Sequence, residues 1–282
     1  MSFTLLTQSA VGGLLLGGIY GLLALGLSLS WGLLRLVNLS HFALAFLGAY
    51  LIYHLGTNYG VPAWLSALII LPAFFLVGLA LHALFVHFKV SEFASMLVTF
   101  GLTILIESLI QWIWSADFLK YETSYAQESL RIGPLYVPIL ELLTLVAAAV
   151  LAAAAWFGLN RTTLGKALRA AAHDGPIAAA FGINAKRLSY VLAGLCAASA
   201  GVAGLFIALT STLAPSQIES WIGVVFAVVI IGGLANPVGA LAAGMLIGVS
   251  EALTMAVVNP AWAPLVAFSI LIILLLWRPK WL

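Results

Sequence analysis

Long apolar runs separated by short polar interruptions set the character of this chain. Runs of about 20 residues, enough for a helix to cross the hydrocarbon core of a bilayer, cover residues 11–34, 63–86, 93–114, 138–158, 188–212 and 238–258. Three shorter runs lie at 40–54, 221–234 and 264–277. No segment alternates polar and apolar residues in the ten-residue pattern of a membrane barrel, and lipid cannot satisfy exposed backbone groups, so these runs are expected to be helices. The pattern predicts an all-α polytopic membrane bundle of about eight to ten segments. The short runs are candidates for broken or re-entrant half-helices.

Small residues pattern two of the runs. Gly13, Gly17 and Gly21 fall four apart in the first, and Ala240, Gly244 and Gly248 do the same near the end. Such stripes let helix backbones approach closely in lipid, and they point to bundle packing. Two polar interruptions are more informative: RLVNLSHFALAFLGAY at 35–50 and IIGGLANPVGALAAG at 230–244. In each an Asn, Asn38 or Asn236, precedes a short Gly- and Ala-bearing helix, with Ser40 or Pro237 near its start. Asn and Ser cap free helix N–H groups, and Pro fits the first turn. One break lies in the first third of the chain and the other in the last, as in transporters built from two structural repeats with discontinuous helices near the pathway. Two plain interhelical loops are the alternative reading.

Composition agrees with the pattern: 64% of residues are hydrophobic and 7% charged, against roughly 25% charged in a soluble domain. The net charge of +2 is too small and scattered for nucleic-acid binding. Its placement is more telling, because five of the eleven Lys and Arg residues, Arg161, Lys166, Arg169, Lys186 and Arg187, fall between 160 and 187 with only Asp174 opposing them. The positive-inside bias then makes 159–187 a cytoplasmic loop, with Lys89 and the C-terminal Arg278 and Lys280 on the same side. The loop 115–137, carrying Asp117, Glu122 and Glu128 against Lys120 and Arg131, reads as external. The first apolar run is too long for a signal-peptide core and has no basic residue before it, so it is expected to stay in the mature protein. The single cysteine, Cys196, lies inside an apolar run, which excludes an internal disulfide and a thiol metal site.

Within the basic loop, DGPIAAAFGIN encodes a short capped helix: Asp174 or Gly175 caps its start, Pro176 fits the first turn and Gly182 suits a left-handed stop. Ile177 and Phe181, four apart, share one face, and Ala178 to Ala180 keep the helix thin. A small apolar knob at the aqueous surface calls for a groove, in a partner or in its own bundle. Two carboxylates, Glu107 and Glu251, fall mid-segment, where acids are costly and often functional; they read either as proton-coupling groups or as hydrogen-bonded ties between helices. The stretch from Gly158 to Ala167 has six residues between its glycines and Ala where Ser or Thr would bind magnesium, so it fails as a phosphate loop.

The segments GLLRLVNLSHFALAFLGAYL, GKALRAAAHDGPIAAAFGINAKRLSYVLAGLCAASAGVAGL and VVIIGGLANPVGALAAGMLIGVSEAL, in that order and spacing, resemble the permeases of branched-chain amino acid ABC importers. The resemblance spans nearly the whole chain, a single permease domain over 1–282, and the length is similar to the smaller of the two permease subunits such importers pair. It implies a multi-pass subunit of the bacterial inner membrane, partnered by a second permease subunit as a heterodimer. A periplasmic solute-binding protein would deliver the solute, and cytoplasmic ABC ATPase subunits would use the ATP; the chain itself needs no cofactor or metal and is not an enzyme. Asp174, Pro176, Ile177, Ala180, Phe181 and Gly182 would then form the coupling element that docks in the ATPase.

One departure from the family bears on the solute. In place of the usual Asn-Phe-Ala-His-Gly and an acidic residue, this chain has Asn38-Leu39-Ser40-His41-Phe42-Ala43. Asn38 and His41 are kept, bulky Phe42 replaces a flexible Gly and the acid is absent, so a pathway lined here differs in bore and polarity, and Phe42→Gly is expected to alter solute preference. The sequence thus points to an importer of a small zwitterionic solute, first among them branched-chain amino acids, with Asn38, Ser40, His41, Phe42 and Asn236 as pathway residues. Similar permeases carry urea, short amides or other amino acids, and a proton-coupled secondary carrier using Glu107 or Glu251 is the rival mechanism.

Overall fold

A computed structural model describes residues 3–123, 128–258 and 262–277. Among the described residues, nine apolar helices make up the bundle: α1 (Phe3–Leu34), α2 (Ser40–Tyr59), α3 (Ala63–His87), α4 (Glu92–Trp114), α5 (Ile139–Arg161), α8 (Ala185–Thr210), α9 (Gln217–Gly232), α10 (Pro237–Val257) and α11 (Ala263–Trp277). Between α5 and α8 lie two short polar-end helices, α6 (Thr163–His173) and α7 (Gly175–Ala180). Six of the nine are long and apolar enough to span a membrane. The 16 residues of α9 reach only about 24 Å, short of a core of about 30 Å.

The helices alternate direction, which gives the bundle two ends. At one, Arg161 to Arg187 and the start of α8 gather with the end of α1, where the Arg35 guanidinium donates to the Ala172 carbonyl at 3.2 Å. This is called the basic end. Arg278 and Lys280, also placed there by the sequence, lie outside the described residues. At the other end a hairpin, β1 (Ser129–Ile132) and β2 (Leu135–Pro138), turns at Gly133 with φ of +60°. The pattern of 115–137 had suggested only a loop; four-residue strands are too short to show a period. Gln8 of α1 fixes the hairpin by donating to the Tyr136 carbonyl at 2.7 Å and accepting from its N–H at 2.9 Å.

The two small-residue stripes meet each other. Antiparallel α1 and α10 pack so closely that a Cβ on Gly17 would stand 2.5 Å from the Met245 Cα, and one on Gly244 would stand 2.8 Å from the Gly17 carbonyl oxygen. Gly13 faces Gly248 in the same way, and Gly21 faces Leu241. Without side chains between them the backbones gain dispersion contact, the main attraction available between helices in lipid. α1 forms the centre, with 72% of its most apolar window buried against 28%, 28% and 22% for α3, α4 and α5. The outer faces of those three helices expose Leu68, Leu76, Leu97, Leu105, Trp112 and Val150, a surface suited to lipid rather than water.

Candidate functional sites: a capped helix at the basic end and two helix breaks

The basic end is assembled by local hydrogen bonds. Thr162 closes α5 and opens α6: its hydroxyl donates to the Gly158 carbonyl and accepts from the Gly165 N–H at 3.1 Å. Gly165 lies so tightly on Gly158 and Leu159 that no side chain fits there. The two glycines that mimic a phosphate loop are therefore a helix–helix contact. Asn160 accepts from Arg169 at 2.8 Å, and the Arg161 guanidinium stands 6.0 Å over the Trp156 ring.

From this platform α7 projects. Asp174 caps it, accepting from the Ile177 N–H at 3.0 Å, and Pro176 occupies the first turn. Gly182, at φ of +80°, ends it: its N–H bonds to the Ala179 carbonyl at 2.9 Å and the Ile183 N–H to the Ala178 carbonyl at 3.1 Å. This paired closure satisfies carbonyls a six-residue helix would otherwise leave free. Asn184 then caps α8 by accepting from the Arg187 N–H at 3.0 Å. Ala178 faces inward and is buried, whereas Ile177 and Phe181 are 58% and 83% exposed. Ala180 is exposed as well. The knob stands free of its own bundle.

The second region is the pair of breaks. Residues 35–39 run as irregular backbone between α1 and α2, and α4 supplies their partners. Ser95 accepts from the Val37 N–H at 3.2 Å, and the Thr99 hydroxyl accepts from the Leu39 N–H at 3.0 Å while lying 3.1 Å from the Val37 carbonyl. Within an apolar bundle, irregular backbone is tolerated when protein groups satisfy it in this way. At 233–236 the partner is Ser28 of α1, whose hydroxyl donates to the Gly233 carbonyl at 3.1 Å and whose carbonyl accepts from the Ala235 N–H at 3.1 Å. Ser28, Ser95 and Thr99 were not singled out from the sequence, since hydroxyls in apolar helices are common and their partners lie about 60 or 200 residues away.

The two asparagines play different parts. Asn236 caps α10 as expected, accepting from the Gly239 N–H at 3.0 Å, and it also donates to the Gly232 carbonyl at 3.0 Å. Asn38 does not cap α2 with its side chain, correcting the expectation; its carboxamide oxygen accepts instead from the Ser40 hydroxyl at 2.6 Å. It borders a small, mostly apolar cleft with Ser30, His82 and Cys196. Ser40, His41 and Phe42 are fully enclosed, at 0%, 1% and 0% exposure. Phe42 packs against His41 and Phe226. His41 lies over Gly26, beside Ser199, and its Nε2 has no hydrogen-bond partner among the described residues. No open passage reaches these three side chains in this conformation.

The two membrane carboxylates part ways. Glu251 is buried and accepts from the Tyr20 hydroxyl at 2.8 Å, tying α10 to α1. Glu107 is half-exposed on α4 and accepts from the Gln111 amide at 3.2 Å.

A polytopic helical bundle with side-chain-satisfied breaks and a free apolar knob at one end has the architecture of a membrane transport component. The family model described as branched-chain amino acid transport system / permease component matches residues 9–275. The chain belongs to this family. It is similar to the high-affinity branched-chain amino acid transport system permease protein BraD of Pseudomonas aeruginosa, 24% identical with 96% of this chain and 94% of that protein covered. The LivH permease protein of the corresponding Escherichia coli system is 21% identical over 98% and 95% of the two chains. A probable LivH permease of Methanocaldococcus jannaschii is 28% identical over 86% and 79%. No solved structure matches.

Proposed function

We propose that this chain is the permease subunit of an ATP-driven importer of the bacterial inner membrane, taking up a small zwitterionic solute and, above all, branched-chain amino acids. The basic end faces the cytoplasm, where ABC ATPase subunits bind; the hairpin end faces a periplasmic solute-binding protein. A second permease subunit completes the pore. The observation that carries the reading is the capped α7, with Ile177 and Phe181 presented to solvent at the end of the bundle richest in Lys and Arg. An exposed apolar pair on a rigid mount is a partner's docking point.

The mount also suggests how a push travels. α7 is continuous with α6 and α8, and α6 is tied through Arg35 to the end of α1 and through Gly165 to α5. ATPase closure on the knob therefore loads the helix that leads directly into the first break and supports the second through Ser28. Rocking there opens the region of Asn38 and the enclosed Ser40, His41 and Phe42, and the start of α10 at Asn236, where the positive end of the helix dipole favours an anionic carboxylate.

The test is uptake in proteoliposomes containing this chain and its co-purified subunits. ATP-dependent uptake of branched-chain amino acids that Phe181→Asp lowers at least about ten-fold, roughly 1.4 kcal/mol of lost coupling, supports the proposal provided the variant still inserts. Undiminished uptake by this chain alone under a proton gradient contradicts it.

A further inference from the structure

At the basic end, beneath α6, a groove of about 690 Å³ opens between α5 and α8, with α1 as its floor. Leu29, Ala154, Leu159, Leu168, Val191 and Leu195 line it. From Arg187 at its mouth to Ser199 at its inner end, α8 advances about 18 Å at 1.5 Å per residue, close to one leaflet of a hydrocarbon core of about 30 Å. Ala154, Val191 and Leu195 on its rim are exposed, so it opens sideways toward the acyl chains of the surrounding bilayer.

The polar groups of the groove separate two kinds of occupant. The Thr162 hydroxyl is engaged with the Gly158 carbonyl and the Gly165 N–H, and the Ser199 hydroxyl donates to the Cys196 carbonyl at 2.7 Å. Neither is free to hold the charged ends of a zwitterion. Arg187 is the exception: among the described residues nothing pairs with its guanidinium, and Lys186 beside it is likewise exposed. The acid nearest to Arg187 along the sequence, Asp174, already caps α7. An apolar slot one leaflet long, with an unpaired guanidinium where the headgroups lie, is complementary to a molecule with a hydrocarbon tail and an anionic head.

We propose that this groove is a binding site for one anionic phospholipid of the leaflet at the basic end, an acyl chain filling the slot and its phosphate held by Arg187. An empty apolar slot of this size would forfeit the dispersion contacts of its walls. Bilayer tails therefore fill it, and the guanidinium selects the head, as basic pockets between membrane helices do. The occupant would brace α6 against α5 and α8, and so stiffen the mount of α7. This site does not depend on which solute is carried or on which subunits bind.

The experiment is native mass spectrometry of the purified full chain, washed in detergent and then titrated with phosphatidylglycerol or with phosphatidylcholine of the same acyl chains. Wild-type protein is expected to retain one phosphatidylglycerol that equimolar phosphatidylcholine does not displace. Arg187→Gln, at an exposed position that leaves the fold intact, should lower that retention about five-fold, the effect of one basic contact to a headgroup, with Arg187→Lys restoring most of it. Ala154→Trp, which closes the rim, should abolish it. Retention of phosphatidylglycerol by Arg187→Gln and Ala154→Trp equal to wild type, or equal retention of the two lipids, would overturn the proposal, as would a protein helix found in the groove.

Discussion

At the scale of single residues, the two halves of the molecule obey different rules. Phe181 is exposed and touches little of its own chain, so Phe181→Asp should disturb function without disturbing the fold. Phe42 is the reverse. The sequence suggests that its replacement by Gly would change solute preference, yet the ring is wholly buried against His41 and Phe226. Removing it leaves a cavity that costs on the order of 3–5 kcal/mol. Phe42→Gly should therefore lower the thermal unfolding midpoint in detergent sharply, while Phe42→Leu is milder; a Phe42→Gly protein as stable as wild type would show that the site collapses freely or lies open. Tyr20 offers a second check. Its hydroxyl is the partner the structure provides for the buried Glu251 carboxyl, and Tyr20→Phe should destabilise the protein by about 1–3 kcal/mol through an unsatisfied buried group. An unchanged midpoint in the same assay would argue that Glu251 has another partner and a role beyond tying α1 to α10.

At the scale of elements, contacts between small residues and caps decide the architecture. A side chain of any size on Gly17 must push α10 away, because its Cβ would already stand 2.5 Å from the Met245 Cα. Gly17→Leu should cause loss of folded protein in the membrane, measured as the monodisperse fraction after solubilisation, whereas Gly12→Leu, with open space around it, should not. Asp174→Ala removes the α7 cap at a cost of about 1 kcal/mol, and amide exchange over 175–183 should quicken by roughly five-fold; exchange at the wild-type rate would mean that the cap does not hold α7. These elements differ in how well the sequence reveals them. The helices, the Asp174 cap and the Gly182 stop are legible because apolar length and capping are local properties. Both small-residue stripes are visible in the sequence, but not that Gly13 and Gly17 meet Gly248 and Gly244, a pairing set by the fold. The hydroxyls of Ser95 and Thr99 that satisfy the first break, and the amide of Gln8 that holds the hairpin, act on backbone 58 to 128 residues away. No period or spacing marks them. By its type and place Asn38 reads as a cap, but its side chain bonds to the Ser40 hydroxyl instead.

At the scale of the whole molecule, the account depends on force entering at one end and being felt at the breaks. The connection is short: α7 to α6, Arg35 to α1, and Ser28 to the start of α10. On the proposed pathway through Ser40, His41 and Phe42, the enclosure of these side chains calls for a second arrangement of the bundle during transport. On the proposed function, the Ile177 and Phe181 knob docks into a separate nucleotide-hydrolysing subunit. Phe181→Cys tests it most directly, because the only native thiol, Cys196, is buried and the new one would be the accessible target. A short thiol-directed photo-crosslinker placed there in intact membranes should yield one major adduct, with an ABC ATPase subunit. An adduct formed only within this chain, with no nucleotide-binding partner recovered, would contradict the account.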